Sequence, residues 1–134
     1  MRPVTEVPRI QLGAQERNAK IEKVLANVTG LRGVTAAAII DSDGLVTHIR
    51  KDFDLNTDAL GAAVQIAFGS AHRAAEHVAQ GGTHLVLVEN KDGLIMLAPL
   101  SKGFILALVG DHTALLGVVR FEVKLTVPEL NGLF

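Results

Sequence analysis

Cysteine, tryptophan and tyrosine are all absent from this 134-residue chain, and phenylalanine supplies its entire 4% aromatic content. Without a thiol there can be no disulfide, no iron–sulfur ligation, no thiolate zinc site and no cysteine nucleophile. With so few rings there are few platforms on which nucleic-acid bases could stack. An excess of charge is missing too, with 13 basic residues against 14 acidic ones. A nucleic acid or an anionic lipid surface calls for a strong basic excess on one face. The longest apolar runs are of strand length, far short of a membrane span. The segment from Met1 to Gln11 carries Pro3 and Pro8 among charged residues and lacks the apolar core of a signal peptide. The expectation from these absences is a cytoplasmic protein without membrane insertion, whose partner is another protein and no nucleic acid.

Apolar residues make up 49% of the chain, so its core must be built from Val, Leu, Ile and Ala. A compact domain of this length buries roughly two thirds of the surface its unfolded chain exposes, and one core suffices. Residues 1–12 read as a flexible N-terminal tail, because two prolines and alternating polar residues offer no periodic face. From Ala14 the pattern is helical, with Ile21, Val24, Leu25 and Val28 on one stripe and a left-handed stop expected at Gly30. Val34 to Asp41 is a nearly continuous apolar run, followed after Ser42-Asp43-Gly44 by an extended stretch from Leu45 to Arg50, which together predict a hairpin.

Asn56 or Thr57 is expected to cap a long helix running to about Gln80. Three strands follow, His84 to Glu89, Leu94 to Leu100 and Phe104 to Val109, joined by the short turns Asn90-Lys91-Asp92-Gly93 and Ser101-Lys102-Gly103. Asp111 is expected to cap a last helix that Pro128 ends. The order is αββαβββα. Strands apolar on both faces need a layer on each side, so the fold class is α/β, an α/β/α sandwich around a five-stranded antiparallel sheet. The expected division is a tail over 1–12, one domain over 13–128 and a C-terminal tail over 129–134.

Two features point beyond a single copy. The strand containing His84, Val86 and Val88 has no proline, lysine or bulge to guard it, so as an edge it invites pairing. In the middle helix, Leu60, Val64, Ala67, Ala71, Ala75 and Val78 form the stripe expected on the sheet. Beside it Ala63, Ile66, Ser70, Ala74 and His77 form a second stripe of mostly small residues, suited to close approach of a symmetry-related helix in a homodimer.

The element order, the Ala-rich middle helix, the strand Leu85-Val86-Leu87-Val88-Glu89 and the meander from Leu94 through Val109 together resemble the Roadblock/dynein light-chain family over about Ala14 to Leu125. Its prokaryotic, MglB-like members regulate small GTPases in cell polarity. The resemblance implies a Roadblock/profilin-like fold and a homodimer in which third strands pair and middle helices pack together. It further implies that those helices carry a small Ras-like GTPase and stimulate its hydrolysis, a GTPase-activating role without chemistry in the chain itself. On that implied platform the remaining face of the middle helix carries Ala62, Gln65, Gly69, His72, Arg73, Glu76 and Gln80.

The chemistry-bearing motifs weigh less than their plain readings. Asn90-Lys91-Asp92-Gly93 has the composition of a base-reading GTPase motif at the wrong spacing, no phosphate loop accompanies it, and a hairpin turn explains it. Asp41-Ser42-Asp43-Gly44 opens like a calcium loop, yet Leu45 takes a ligand position and a turn again suffices. The 5 histidines are scattered, and His72 and His77 lie about 140° apart on a helix, so no metal site is expected. Ser70 with His72 or His77 has no orienting carboxylate, hence no hydrolytic triad. Arg73 sits mid-helix, whereas an arginine finger needs a protruding loop. Gly61, Ala62, Ala63 and Gly69 suit helix filler and an interface equally. No cofactor, no catalytic residue and no enzyme activity are expected. The alternative reading is a ligand-sensing or purely scaffolding module of profilin-like fold, which would need a polar-lined cavity inside the sandwich.

Overall fold

The computed structural model describes residues 2–134, with side chains from residue 13 onward. Its elements are α1 (Arg2–Thr29), β1 (Val34–Ile40), β2 (Val46–Lys51), α2 (Thr57–His77), β3 (Val86–Asn90), β4 (Gly93–Pro99), β5 (Ile105–Asp111) and α3 (Leu116–Asn131), with a short 3-10 turn at Ser101–Gly103 between β4 and β5. The five strands form one antiparallel sheet in the order β2-β1-β5-β4-β3. This is the αββαβββα sandwich that the hydrophobic pattern predicts. The tail expected over residues 1–12 falls within α1, which begins at Arg2 and not near Ala14, while side chains are described only from residue 13.

The sheet is apolar on both faces because each face meets helices. Ala37 and Ile39 of β1 point with Met96, Ala98, Leu106 and Leu108 into a core closed by Ile21, Val24, Leu25 and Val28 of α1 and by Val119, Val123 and Leu130 of α3. Ala38 and Ile40 point the other way, with Leu97, Ile105 and Ala107, and there α2 buries only Val64 against them. The period-two alternation of a strand divides β1 between two cores. The two layers are unequal, since two helices cover one face and a single helix the other.

Several local expectations need correction. Gly30 follows α1 without a left-handed conformation, and the positive φ belongs to Gly33 at 81°. At the end of α2, Val78 is the C-cap, so the helix stops short of the Gly81-Gly82 pair and Ala79 takes the left-handed position at φ 57°. Asp111 closes β5 and does not cap α3, whose N-cap is Leu115 without a side-chain bond. Pro128 does not end α3. It lies inside the helix, which runs on to Asn131. The segment 129–134, expected to trail behind it, is tied to the domain at three residues: Leu130 is fully buried, Asn131 Oδ1 accepts the Ser101 amide at 2.8 Å, and Phe134 stacks on Phe104 at 4.6 Å between centroids.

Candidate functional site

α2 begins at Asn56, whose side-chain oxygen accepts the Ala59 amide at 3.0 Å, the bond that makes asparagine a preferred N-cap. One turn later the helix meets the β1–β2 hairpin at Gly61, where a β-carbon would strike the carbonyl oxygen of Gly44. That hairpin turn is drawn tight by Asp41, whose carboxylate accepts the amides of Asp43 and Leu45, each at 2.9 Å. Gln65 fastens the next turn of the helix, its amide donating to Asp41 O at 2.7 Å and to Gly103 O at 3.3 Å. Leu60, Val64 and Phe68 complete the contact with the sheet.

The sheet-facing stripe is therefore turned toward Gly61, Val64 and Phe68 and departs from the expected set: Ala67 and Val78 stand in solvent. Packing at Gly61 sets this rotation, because the glycine admits the helix to the hairpin where any larger residue would hold it off. In all 21 residues of α2, only Gly61 and Val64 are buried.

The second stripe stays exposed. Ala63, Ile66, Ser70, Ala74 and His77 all face outward, with Ile66 at 68% exposure. β3 is an edge strand, its Val86 and Val88 half-buried, and His84 is exposed just before it. A groove of about 660 Å³ joins the two features, lined by Ala71, Ala74, Ala75 and Val78 of α2, by Thr83 to Val86, and by Gln80, Gly82 and Arg120. The Thr83 hydroxyl is buried there without a hydrogen-bond partner. Sequence reasoning missed Thr83 and Arg120. Arg120 reaches the groove only through the sheet order, which no local pattern encodes.

The residues expected to form a platform divide into two groups. Ala62, Arg73, Glu76 and Gln80 are exposed. Gly69 lies low, and a β-carbon there would meet only Arg73 Nη1, at 3.9 Å. Gln65 and His72 are half-buried and engaged within the fold, Gln65 on the two turns and His72 stacked on Phe68 with the rings 7° from parallel. Ser70 and His77 are exposed on the outer face and share no hydrogen bond with each other. Among the described residues, no three His, Asp or Glu side chains gather where they could hold a metal ion. No described helix is long and apolar enough to cross a membrane.

Residues 20–110 match the family model of the Roadblock/LC7 domain. Two uncharacterized proteins of Methanocaldococcus jannaschii are each 25% identical over 114 residues, covering 85% of this chain and 99% of theirs. Among solved structures, the gliding protein MglB of Thermus thermophilus superposes with a TM-score of 0.81 at 19% identity, over 87% of this chain and 90% of its own. Myxococcus xanthus MglB gives 0.80 at 17% identity, over 87% and 88%.

Proposed function

The chain belongs to the Roadblock/LC7 family, and on that premise we propose that it is a non-catalytic, cytoplasmic homodimeric regulator that binds a small Ras-like GTPase and modulates its GTP hydrolysis. The observation that carries this reading is the state of α2, a 21-residue helix with two buried residues and an outer face of small and apolar side chains next to an open sheet edge. In the dimer, Ala63, Ile66, Ser70, Ala74 and His77 pack against their symmetry mates, while Val86 and Val88 pair across the edge. Small side chains let the helix axes approach closely, and pairing satisfies the unpaired backbone groups of β3. Ala62, Gly69, Arg73, Glu76 and Gln80 then border one surface of the paired helices, where a single GTPase contacts both copies.

Two measurements test this. Sedimentation equilibrium at micromolar concentration should give at least two copies for the wild type, and a monomer or aggregate for Ala74→Arg combined with Val86→Lys. A monomeric wild type would defeat the dimer. Titration with Ras-like GTPases from the source cytosol should reach one GTPase per two chains. Saturation at one per chain would mean that the helices do not act as a joint platform.

A further inference from the structure

Of the nine large apolar side chains left exposed among the described residues, five lie on or beside α3: Leu115, Leu116, Val118, Phe121 and Leu125. The helix already buries a stripe of Val119, Val123, Thr126 and Leu130 on the sheet. Its outer face is thus a second apolar stripe on an element whose packing is complete. Phe121 and Leu125 are 60% and 55% exposed. Val118, Phe121, Leu125 and Pro128 follow one another at intervals of three, four and three residues, the alternation of a and d positions in a coiled-coil heptad. The buried residues fall at b and f, on the far side of the helix from that seam.

The charges beside the seam determine what can cover it. Arg120 and Lys124 flank it on the side of β3, where they line a groove of about 450 Å³ with His84, Leu85 and Pro99. Glu122 and Glu129 fall on the opposite flank by helical position. One basic and one acidic flank make a face complementary to itself in one orientation. A two-fold axis parallel to the helices sets the basic flank of each copy beside the acidic flank of the other, and Lys124 and Glu129 occupy the g and following e positions that pair between parallel helices. A two-fold axis perpendicular to them would set like charges together. A partner of uniform charge would be repelled along one flank.

We propose that the outer face of α3 is a second homotypic contact, a parallel α3–α3 pairing centred on Phe121 and Leu125. It is separate from the α2 and β3 association and does not depend on GTPase binding. A seam of three helical turns falls below the roughly 800 Å² per partner of standard stable interfaces, so the contact is weak and concentration-dependent. Where the α2 and β3 dimer also forms, each chain makes two different two-fold contacts. Such contacts close a tetramer when their axes intersect at right angles, close a larger dihedral assembly when they intersect at another whole fraction of a half-turn, and propagate an open chain when the axes do not intersect.

The absence of native cysteine makes a single introduced thiol a clean reporter. A parallel seam places residue 125 against residue 125 of the second copy, so Leu125→Cys should form an intermolecular disulfide under copper-phenanthroline oxidation, several-fold faster than the exposed α1 control Asn27→Cys. It should do so equally in the Ala74→Arg, Val86→Lys background provided that variant stays folded, which separates this contact from the other. In sedimentation, the wild-type mass should rise with concentration, and Phe121→Glu with Leu125→Glu should remove that rise without lowering the melting temperature, because both side chains are exposed. A cross-linking rate equal to the control, or a wild-type mass that does not vary with concentration, would overturn the proposal. So would disulfides that form in a mixture of Phe121→Cys and Leu125→Cys chains but not in Leu125→Cys alone, since they would mark an antiparallel seam.

Discussion

Gly61 of α2 rests directly on the carbonyl of Gly44 in the β1–β2 turn, so closely that a β-carbon on Gly61 would overlap the oxygen and lie 3.3 Å from Val46 Cγ2. Gly44 itself holds φ at 86°, a conformation that side-chain-bearing residues rarely adopt. The height and rotation of α2 on the sheet, and with them the side chains it turns outward, depend on this pair. Gly61→Ala should therefore destabilise the fold by about 1–3 kcal/mol, the usual cost of overpacking, even though alanine is the better helix former. A urea melt measures it, and an unchanged or raised midpoint would mean that the helix lifts off the hairpin without cost.

Gly69 presents the opposite case, since a β-carbon there would meet only the far end of the Arg73 side chain, at ordinary contact distance. Gly69→Arg should keep the fold and gain up to about 1 kcal/mol from helix propensity, while its long side chain blocks docking on the paired helices. Loss of GTPase binding by a folded, dimeric variant is the expected result. Wild-type affinity would move the platform to the outer helices α1 and α3.

Asp111 accepts the Thr113 hydroxyl at 2.6 Å and the Thr113 amide at 2.8 Å, and these two bonds, the hydroxyl first, hold its carboxyl below the usual carboxylate range. A folded-state pKa lowered in this way contributes stability that is present above the unfolded value of about 3.9 and is lost as the pH falls through the folded value. The stability difference between wild type and Asp111→Asn should thus be constant at neutral pH and shrink once the pH drops below about 4. Thermal melts across that range test the sign. A difference that grows on acidification would contradict it.

Leu130 is completely buried beyond the proline that was expected to end the fold. Leu130→Ala should cost about 2–5 kcal/mol, as for other buried leucines. Removal of residues 129–134 should cost at least as much, since it also takes away the Asn131 cap on Ser101 and the Phe134 stack on Phe104. A truncated chain with the full melting temperature would show that these residues contribute nothing.

The order of elements, the sandwich and the hairpin and meander connections were legible in the sequence because each depends on local periodicity and turn chemistry. Val34 to Ile40 is apolar on both faces, which requires two layers, and Asp43-Gly44 and Asp92-Gly93 mark turns by their composition. The same periodicity identified a second, small-residue stripe on α2. Tertiary structure decided the rest. The rotation of α2 follows from contact between two glycines 17 positions apart, a close approach that helical spacing cannot reveal, and it drew Gln65 and His72 into the fold while leaving Ala67 and Val78 outside. Arg120 and Thr83 share a groove only because the sheet order puts β3 at the edge beside α3. Pro128 continues its helix because burial of Leu130 and stacking of Phe134 outweigh the missing hydrogen bond, a balance between local propensity and burial that only the assembled core determines.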